Sequence, residues 1–388
     1  MKVAMSRALV EESTAEHSVG LSIPTLAPTA DAEPAPGAGL PAGVDLLERL
    51  EGICINQGLA SLAVRLGAMT ELVAADLARF EAELGGLPRR PEQVGRAASH
   101  LVDLGGKRLR PLCLALASRL GTGFDEKGLD LAVAVELVHS ATLLHDDVVD
   151  VSDQRRGSAT ARTIYGNAAS IFAGDWLLVE ALRRVRHSGY LDLLDELLAV
   201  IEEMIFAESL QLENRGRLSM DRQTYFRVVE GKTASVFRWA MGAGGRAGGL
   251  DVEARRALAD YGNHLGVTFQ AVDDLLDLTG DSAKTGKTLF TDLREGKMTL
   301  PLITALERRP ALRGVVEEVL ALDPEASMPE ALGLDIVAHL KDSGAIQDCL
   351  QLARDRSAAA VKSLDAVPES PARQALATVA EAIIDRDL

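Results

Sequence analysis

Apolar residues recur at helical spacing from about residue 60 to the C-terminus, and this periodicity restricts the chain to one fold class. Leu62, Leu66, Met69, Val73, Leu77, Phe80 and Leu84 fall three or four positions apart, which lines one face of a helix rather than one face of a strand. Aromatic residues make up only 4% of the chain while Ala, Leu, Val and Glu recur, and straight-chain residues and Ala lose little freedom in a helix. The expectation is all-α. Gly or Pro punctuates the pattern at Gly85-Gly86-Leu87-Pro88, Gly121-Thr122-Gly123, Arg215-Gly216, Gly242 to Gly249, Gly280-Asp281 and Arg309-Pro310. Breaks there leave room for about ten helices of a dozen residues or more. No fixed-period repeat points to a solenoid.

From Ser22 to Gly43 the chain is rich in Pro, Ala and Gly without apolar periodicity, so it cannot offset the entropy of ordering. Residues 1–45 are expected to form a flexible arm and residues 46–388 a single helical domain. The net charge of −16 argues against nucleic acid or an anionic bilayer as partner. Cys54, Cys113 and Cys349 match no zinc or redox spacing and read as small buried hydrophobes. Glu11, Glu12 and Glu16 count against a transit peptide. A cytoplasmic protein with at most peripheral membrane contact is expected.

The chemistry lies in two acidic clusters. The largely apolar segment Leu131 to Leu144 runs into His145-Asp146-Asp147-Val148-Val149-Asp150. On a helix Asp146 and Asp150 stand one above the other, with Asp147 on the adjoining flank. Such carboxylates repel one another unless protonated or bridged by a cation, and hard oxygen donors select Mg²⁺ over softer metals. A single cluster of this kind is commonly a solvated helix end. A second copy, Asp273-Asp274-Leu275-Leu276-Asp277, again follows a mostly apolar run, Leu265 to Val272. Basic residues gather near turns: Lys107, Arg108 and Arg110 within Gly105-Gly106-Lys107-Arg108-Leu109-Arg110-Pro111, then Arg155, Arg156, Lys232, Lys287 and Lys297. Paired carboxylates with forked guanidiniums suit a diphosphate bridged by magnesium.

Five ordered motifs carry a resemblance over roughly residues 65 to 388. They are Gly-Gly-Lys-Arg-x-Arg-Pro from Gly105, Asp-Asp-x-x-Asp from Asp146 with Arg155-Arg156-Gly157, Gly231-Lys232-Thr233, Phe269-Gln270-x-x-Asp-Asp-x-x-Asp, and Asp292-Leu293-Arg294-Glu295-Gly296-Lys297. With them the chain resembles the long-chain trans-isoprenyl diphosphate synthases of the polyprenyl synthetase family. The resemblance implies an antiparallel helical bundle of the isoprenoid synthase type with a deep central cavity, working as a homodimer. It implies that Lys107, Arg110, His139 and Arg156 hold isopentenyl diphosphate, while Arg155, Lys232, Lys287 and Lys297 face the allylic diphosphate, supported by Thr233 and Gln270. Asp146, Asp150 and Asp273 would ligate Mg²⁺ directly, three ions per active site, with Asp147, Asp274 and Asp277 orienting them or acting through water.

The implied reaction is head-to-tail condensation of isopentenyl units onto an allylic diphosphate. Ala141, Thr142 and Val138, small or medium residues within about two helical turns before Asp146, imply a long product of about eight units by family analogy. A short-chain synthase and a regulatory subunit of a two-chain synthase are the alternatives. A terpene cyclase needs no second diphosphate pocket, and regulatory subunits usually have degraded Asp motifs. Two small departures are present: Ala207-Glu208-Ser209 stands where relatives often have Gly-Glu, and Thr288 follows Lys287 where Pro is common. Neither is expected to touch a proposed ligand.

Overall fold

A computed structural model describes residues 60–280, 289–323 and 328–384. The N-terminal arm, Cys54, Lys287 and Thr288 lie outside the described residues. In chain order come α1 (Ala60–Gly85), α2 (Gln93–Asp103), α3 (Leu109–Ser118), α4 (Glu126–Val149), β1 (Gln154–Arg155), β2 (Ser158–Ala159), α5 (Ala161–Tyr165), α6 (Asn167–Ser188), α7 (Leu191–Glu213) and α8 (Arg222–Val229). A π-helical segment, Glu230–Ala234, leads into α9 (Ser235–Ala247) and then α10 (Val252–Thr279). The chain continues with α11 (Thr291–Arg294), α12 (Leu300–Arg308), α13 (Leu312–Leu320), α14 (Glu330–Ser343), α15 (Ala345–Ser363) and α16 (Pro371–Ala382). The all-α expectation is borne out, with one two-stranded hairpin among the described residues.

All seven apolar residues of the α1 pattern are buried, and α1 packs on α3, α4 and α16. Helix α4 starts where the Asp125 carboxylate accepts from Gly128 N at 2.8 Å, a cap contributing about 1 kcal/mol. It is apolar on all sides, as suits a helix enclosed by others, and its side chains from Leu131 to Val138 are buried. By length and composition α4 could cross a membrane, but 78% of that stretch is buried inside the protein. Fully burying each Leu or Val contributes about 1.5–3 kcal/mol. The carboxylates at its end therefore sit on a rigid rod.

Helix α4 packs most extensively against α6, and α10 lies against both α9 and α15. The expected break at Gly242 to Gly249 falls at its far end: α9 runs through to Ala247, and the chain turns at Gly248-Gly249, where Gly249 has φ 73° and Leu250 N bonds to Gly245 O. A Cβ on Gly244 would meet Leu114 O at 2.5 Å, so this glycine lets α9 approach the backbone of α3. Likewise a Cβ on Gly266 would meet Ala234 Cα at 2.4 Å, bringing α10 against the π-helical segment. Gly244 and Gly266 serve helix contact, and Gly249 serves the chain reversal. Cys113 and Cys349 are buried free thiols, as expected.

Candidate active site

At the C-terminal end of α4, Asp147 is buried and Asp146 and Asp150 are half-buried. The helix closes with Val151 N bonded to Val148 O and Ser152 N to Asp147 O, a Schellman end that places Val151 at φ 57°. Four residues on, β1 and β2 form a tight hairpin whose central Arg156 and Gly157 both have positive φ, 55° and 75°, the geometry of a type I′ turn. The turn sends consecutive arginines to different partners. Arg155 reaches Asp147 Oδ1 through Nε at 2.9 Å and its terminal nitrogen at 2.7 Å. Arg156 lies beside Gly106, where a Cβ would stand 3.0 Å from its guanidinium.

Lys232 and Thr233 sit on the π-helical segment, a geometry frequent at functional sites. Lys232 Nζ stands 3.4 Å from Asp146 Oδ2 and 2.5 Å from Glu208 Oε2. Burial lowers its pKa, but the Asp146 and Glu208 charges outweigh that and raise it. Glu208 thus belongs to the site, correcting the expectation that Ala207-Glu208-Ser209 stands clear of it. Thr233 donates to Gln270 Oε1 at 3.0 Å, Gln270 Nε2 donates to Asp274 Oδ1 at 2.8 Å, and the Tyr225 hydroxyl donates to Asp274 Oδ2 at 2.7 Å. This chain of bonds connects Thr233 on the π-helical segment to the second acidic cluster on α10.

Burial pushes the Asp274 carboxyl up to about 7 and, with the charge of Asp292, that of Asp277 to about 8. Asp277 accepts from Thr291 N at 3.0 Å, and Asp273 is half-buried beside Asp274. A second bridge returns to α4: Lys297 Nζ donates to Asp150 Oδ2 at 2.7 Å and to Glu295 Oε2 at 2.6 Å. Arg215 adds a third link, donating to Val149 O at 3.2 Å, to Asp150 Oδ1 at 3.3 Å and to Glu295 O. The cations Arg155, Lys232, Lys297 and Arg215 thus meet the first cluster, while Asp274 and Asp277 of the second are held by neutral donors.

Carboxylate oxygens alone make a donor set that suits a hard divalent cation, and Asp147 Oδ2 is buried with no hydrogen-bond partner. Among the described residues no three His, Cys, Asp or Glu side chains converge to ligating distance. Instead Asp146 and Asp150 hold the Lys232 and Lys297 ammonium groups. The chemistry of the donor set fits such an ion, which would share these oxygens with the two lysines.

A separate basic pocket lies beside His139. Arg110 Nε is buried without a hydrogen-bond partner, its guanidinium is 4.6 Å from the Phe237 ring centroid, and burial lowers its pKa to about 10. Burial and then the charges of Arg110, Arg156, Arg155 and Arg108 hold His139 well below the usual imidazole range, so it is neutral near pH 7. Lys107 is exposed. The structure thus brings Arg110 and Arg156 near His139. Arg108, which the sequence reading assigned no role, is buried nearby in an ion pair with Glu136.

Against known proteins, the polyprenyl synthetase sequence profile matches residues 91–333. The chain belongs to the polyprenyl synthetase family. It is 34% identical to the octaprenyl diphosphate synthase of Escherichia coli (strain K12), covering 84% of this chain and all of that one. It is 32% identical to a short chain isoprenyl diphosphate synthase of Methanothermobacter thermautotrophicus, over 76% of this chain and 91% of the other. Its structure matches a polyprenyl synthase from Caulobacter crescentus CB15, solved with calcium and isoprenyl diphosphate, with a TM-score of 0.77 at 34% identity, over 83% of this chain and 98% of that one. This polyprenyl synthetase is a trans-prenyl diphosphate synthase, a prenyltransferase.

Of the candidate chain-length residues, Val138 and Ala141 are fully buried in the core shared with α6 and α9. Thr142 is half-buried, and its hydroxyl donates to His139 O at 2.8 Å. Tyr225, Glu208, Arg215 and Glu136 escaped the sequence reading. Only Glu208 left a signal, standing at a position where the family motif was recognised.

Proposed function

We propose that this polyprenyl synthetase extends an allylic diphosphate with isopentenyl diphosphate, head to tail, to an all-trans polyprenyl diphosphate of about eight units. The observation that carries this reading is the pairing of two cationic sites: Lys232 and Lys297 against Asp146 and Asp150, and Arg110 with Arg156 beside neutral His139. One site suits a diphosphate that leaves, the other a diphosphate that stays.

Mg²⁺, three ions per active site, would be held by Asp146, Asp150 and Asp273, with Asp147, Asp274 and Asp277 orienting them, and would stabilise negative charge on the leaving diphosphate. The calcium and isoprenyl diphosphate of the Caulobacter relative support a divalent ion beside a diphosphate. Lys232, Lys287, Lys297 and Arg155 add fixed positive charge at the allylic diphosphate. Lys107, Arg110, His139 and Arg156 hold isopentenyl diphosphate so that its double bond meets the allylic carbon. As the allylic C–O bond breaks, the new C–C bond forms, and a proton leaves to the departing diphosphate. Each cycle yields the longer allylic diphosphate, one diphosphate and one proton. Gln270, its amide oxygen taken by Thr233, supports the allylic side, and the apolar interior of the bundle keeps water from the cation.

Relatives making octaprenyl and short-chain products stand at similar identity, so identity does not choose the length. The small Ala141 and Thr142 before Asp146 favour the long product. A homodimer is supported by α7, where Leu191, Leu198, Ile205 and Leu212 recur every seven residues and are exposed, as is Phe206, the spacing of a helix seam that meets another helix. Sedimentation of wild type and of Leu198→Glu should show a dimer and a monomer respectively; a monomeric wild type contradicts the pairing. For the reaction itself, mixing both substrates with Mg²⁺ should release one diphosphate per isopentenyl unit consumed. Release from the allylic substrate alone at the same rate would indicate hydrolysis or cyclisation instead.

A further inference from the structure

We propose that Arg108 and Glu136 are positioning residues for the isopentenyl diphosphate pocket: their buried ion pair fixes the Gly105 to Pro111 turn onto α4 and leaves Arg110 and Arg156 free for the substrate diphosphate. The inference rests on the assignment of Arg110 and Arg156 to that pocket. Arg108 donates to Glu136 Oε1 at 2.6 Å, and the two side chains are only 3% and 4% exposed. Its Nε donates to Glu81 Oε1 at 3.0 Å, so two carboxylates from α4 and α1 clamp one guanidinium.

The backbone at Arg108 is left-handed, φ 50°, a conformation a non-glycine residue keeps only where its surroundings over-determine it. It stands at the start of α3, two residues before Arg110. Gly106 fits closely in the same turn: a Cβ there would lie 3.0 Å from the Arg156 guanidinium and 3.3 Å from that of Arg108. The turn, the hairpin arginine and α4 therefore meet at one point. Glu136 also moderates the charges of Arg110 and Arg156, but its hydrogen bond goes to Arg108. Were Arg108 released, its guanidinium would be free to crowd Arg156, and the turn carrying Lys107 and Arg110 would lose its anchor. Removing one member of a buried pair leaves the other uncompensated, whereas removing both charges together does not.

The test compares steady-state kinetics of Glu81→Gln, Glu136→Gln and the paired Arg108→Gln/Glu136→Gln with wild type, with Arg156→Ala alongside. Positioning predicts that the paired variant raises KM for isopentenyl diphosphate at least about tenfold, with KM for the allylic substrate within about twofold. Glu81→Gln, whose side chain is 23% exposed and whose loss leaves the Glu136 bond in place, should raise the same KM about threefold. A shift of both KM values together in these variants marks a purely structural pair and overturns the proposal, as do wild-type values in folded protein. If Arg156→Ala raises KM for isopentenyl diphosphate while the other variants do not, the pocket stands and the positioning role is wrong. If Arg156→Ala leaves it unchanged, the pocket assignment fails and the positioning role falls with it.

Discussion

Replacing Arg155 and Arg156 separately by Ala should give opposite signatures, although the residues are adjacent. The Asp147 side chain is only 1% exposed, and Arg155 is its ion-pair partner while Oδ2 has no hydrogen-bond partner. Breaking a buried pair of this kind costs about 3–5 kcal/mol, and because Arg155 itself is 25% exposed the lower end applies. Burial already raises the Asp147 acid range against the pull of Arg155. In Arg155→Ala that carboxyl should take up a proton, so the destabilisation should be smaller at pH 5 than at pH 8. Arg156 makes no ion pair with a described carboxylate, and burial together with Arg108 and Arg155 disfavours its charge. Arg156→Ala should therefore shift stability by no more than about 1 kcal/mol. It removes charge-assisted bonds to a diphosphate worth about 1.5–3 kcal/mol, which is roughly a ten- to hundredfold rise in KM for isopentenyl diphosphate. Urea denaturation at two pH values and kinetics with each substrate varied read both effects. Equal destabilisation by the two changes, or equal damage to both substrates, would refute the division.

Asp146→Ala or Asp273→Ala should lower turnover at least about a hundredfold, because each would remove a ligand of the Mg²⁺ proposed to stabilise the leaving-group charge; near-normal turnover in either contradicts the metal assignment. Ala141→Phe and Thr142→Phe should both shorten the product, since one helical turn rises about 5.4 Å, close to one isoprenyl unit. Ala141 is fully buried, so Phe there should also cost about 1–3 kcal/mol by overpacking, which thermal unfolding will report. Metal-free protein should lose stability as pH rises from about 4 to about 8: the Asp274 and Asp277 carboxyls, held by burial near 7 and 8, bind protons in the folded state that the unfolded chain has already released. Asp274→Asn should flatten that slope, and an unchanged slope would show that other groups carry it.

The helices were legible because α1 and α4 follow the period of a buried rod, and local spacing reports that directly. The Gly242 to Gly249 run marked a real break, at Gly248-Gly249, but not that α9 continues through Gly242, Gly244 and Gly245. Glycine signals both a break and a close helix contact, and only the neighbouring Leu114 carbonyl decides between them. The Asp clusters and their lysines were legible through motif order. The hairpin at Arg156 was not, since a two-residue I′ turn inside a helical chain leaves no periodic trace. The supporting shell was hidden because its partners are remote: Glu136 lies 28 residues from Arg108, Asp274 lies 49 from Tyr225, and Asp150 lies 65 from Arg215. Each is a single polar residue whose meaning depends on a contact that only the folded chain makes.

Elongation to a long chain is read from the product ladder of the wild-type enzyme. Labelled isopentenyl diphosphate in excess is incubated with Mg²⁺ and each allylic primer in turn, and the products are separated by length. Mg²⁺-dependent accumulation is expected near about forty carbons, eight units set by the depth below Asp146. Products that stop at about fifteen or twenty carbons would place the floor of the site above Ala141 and rule out long-chain elongation.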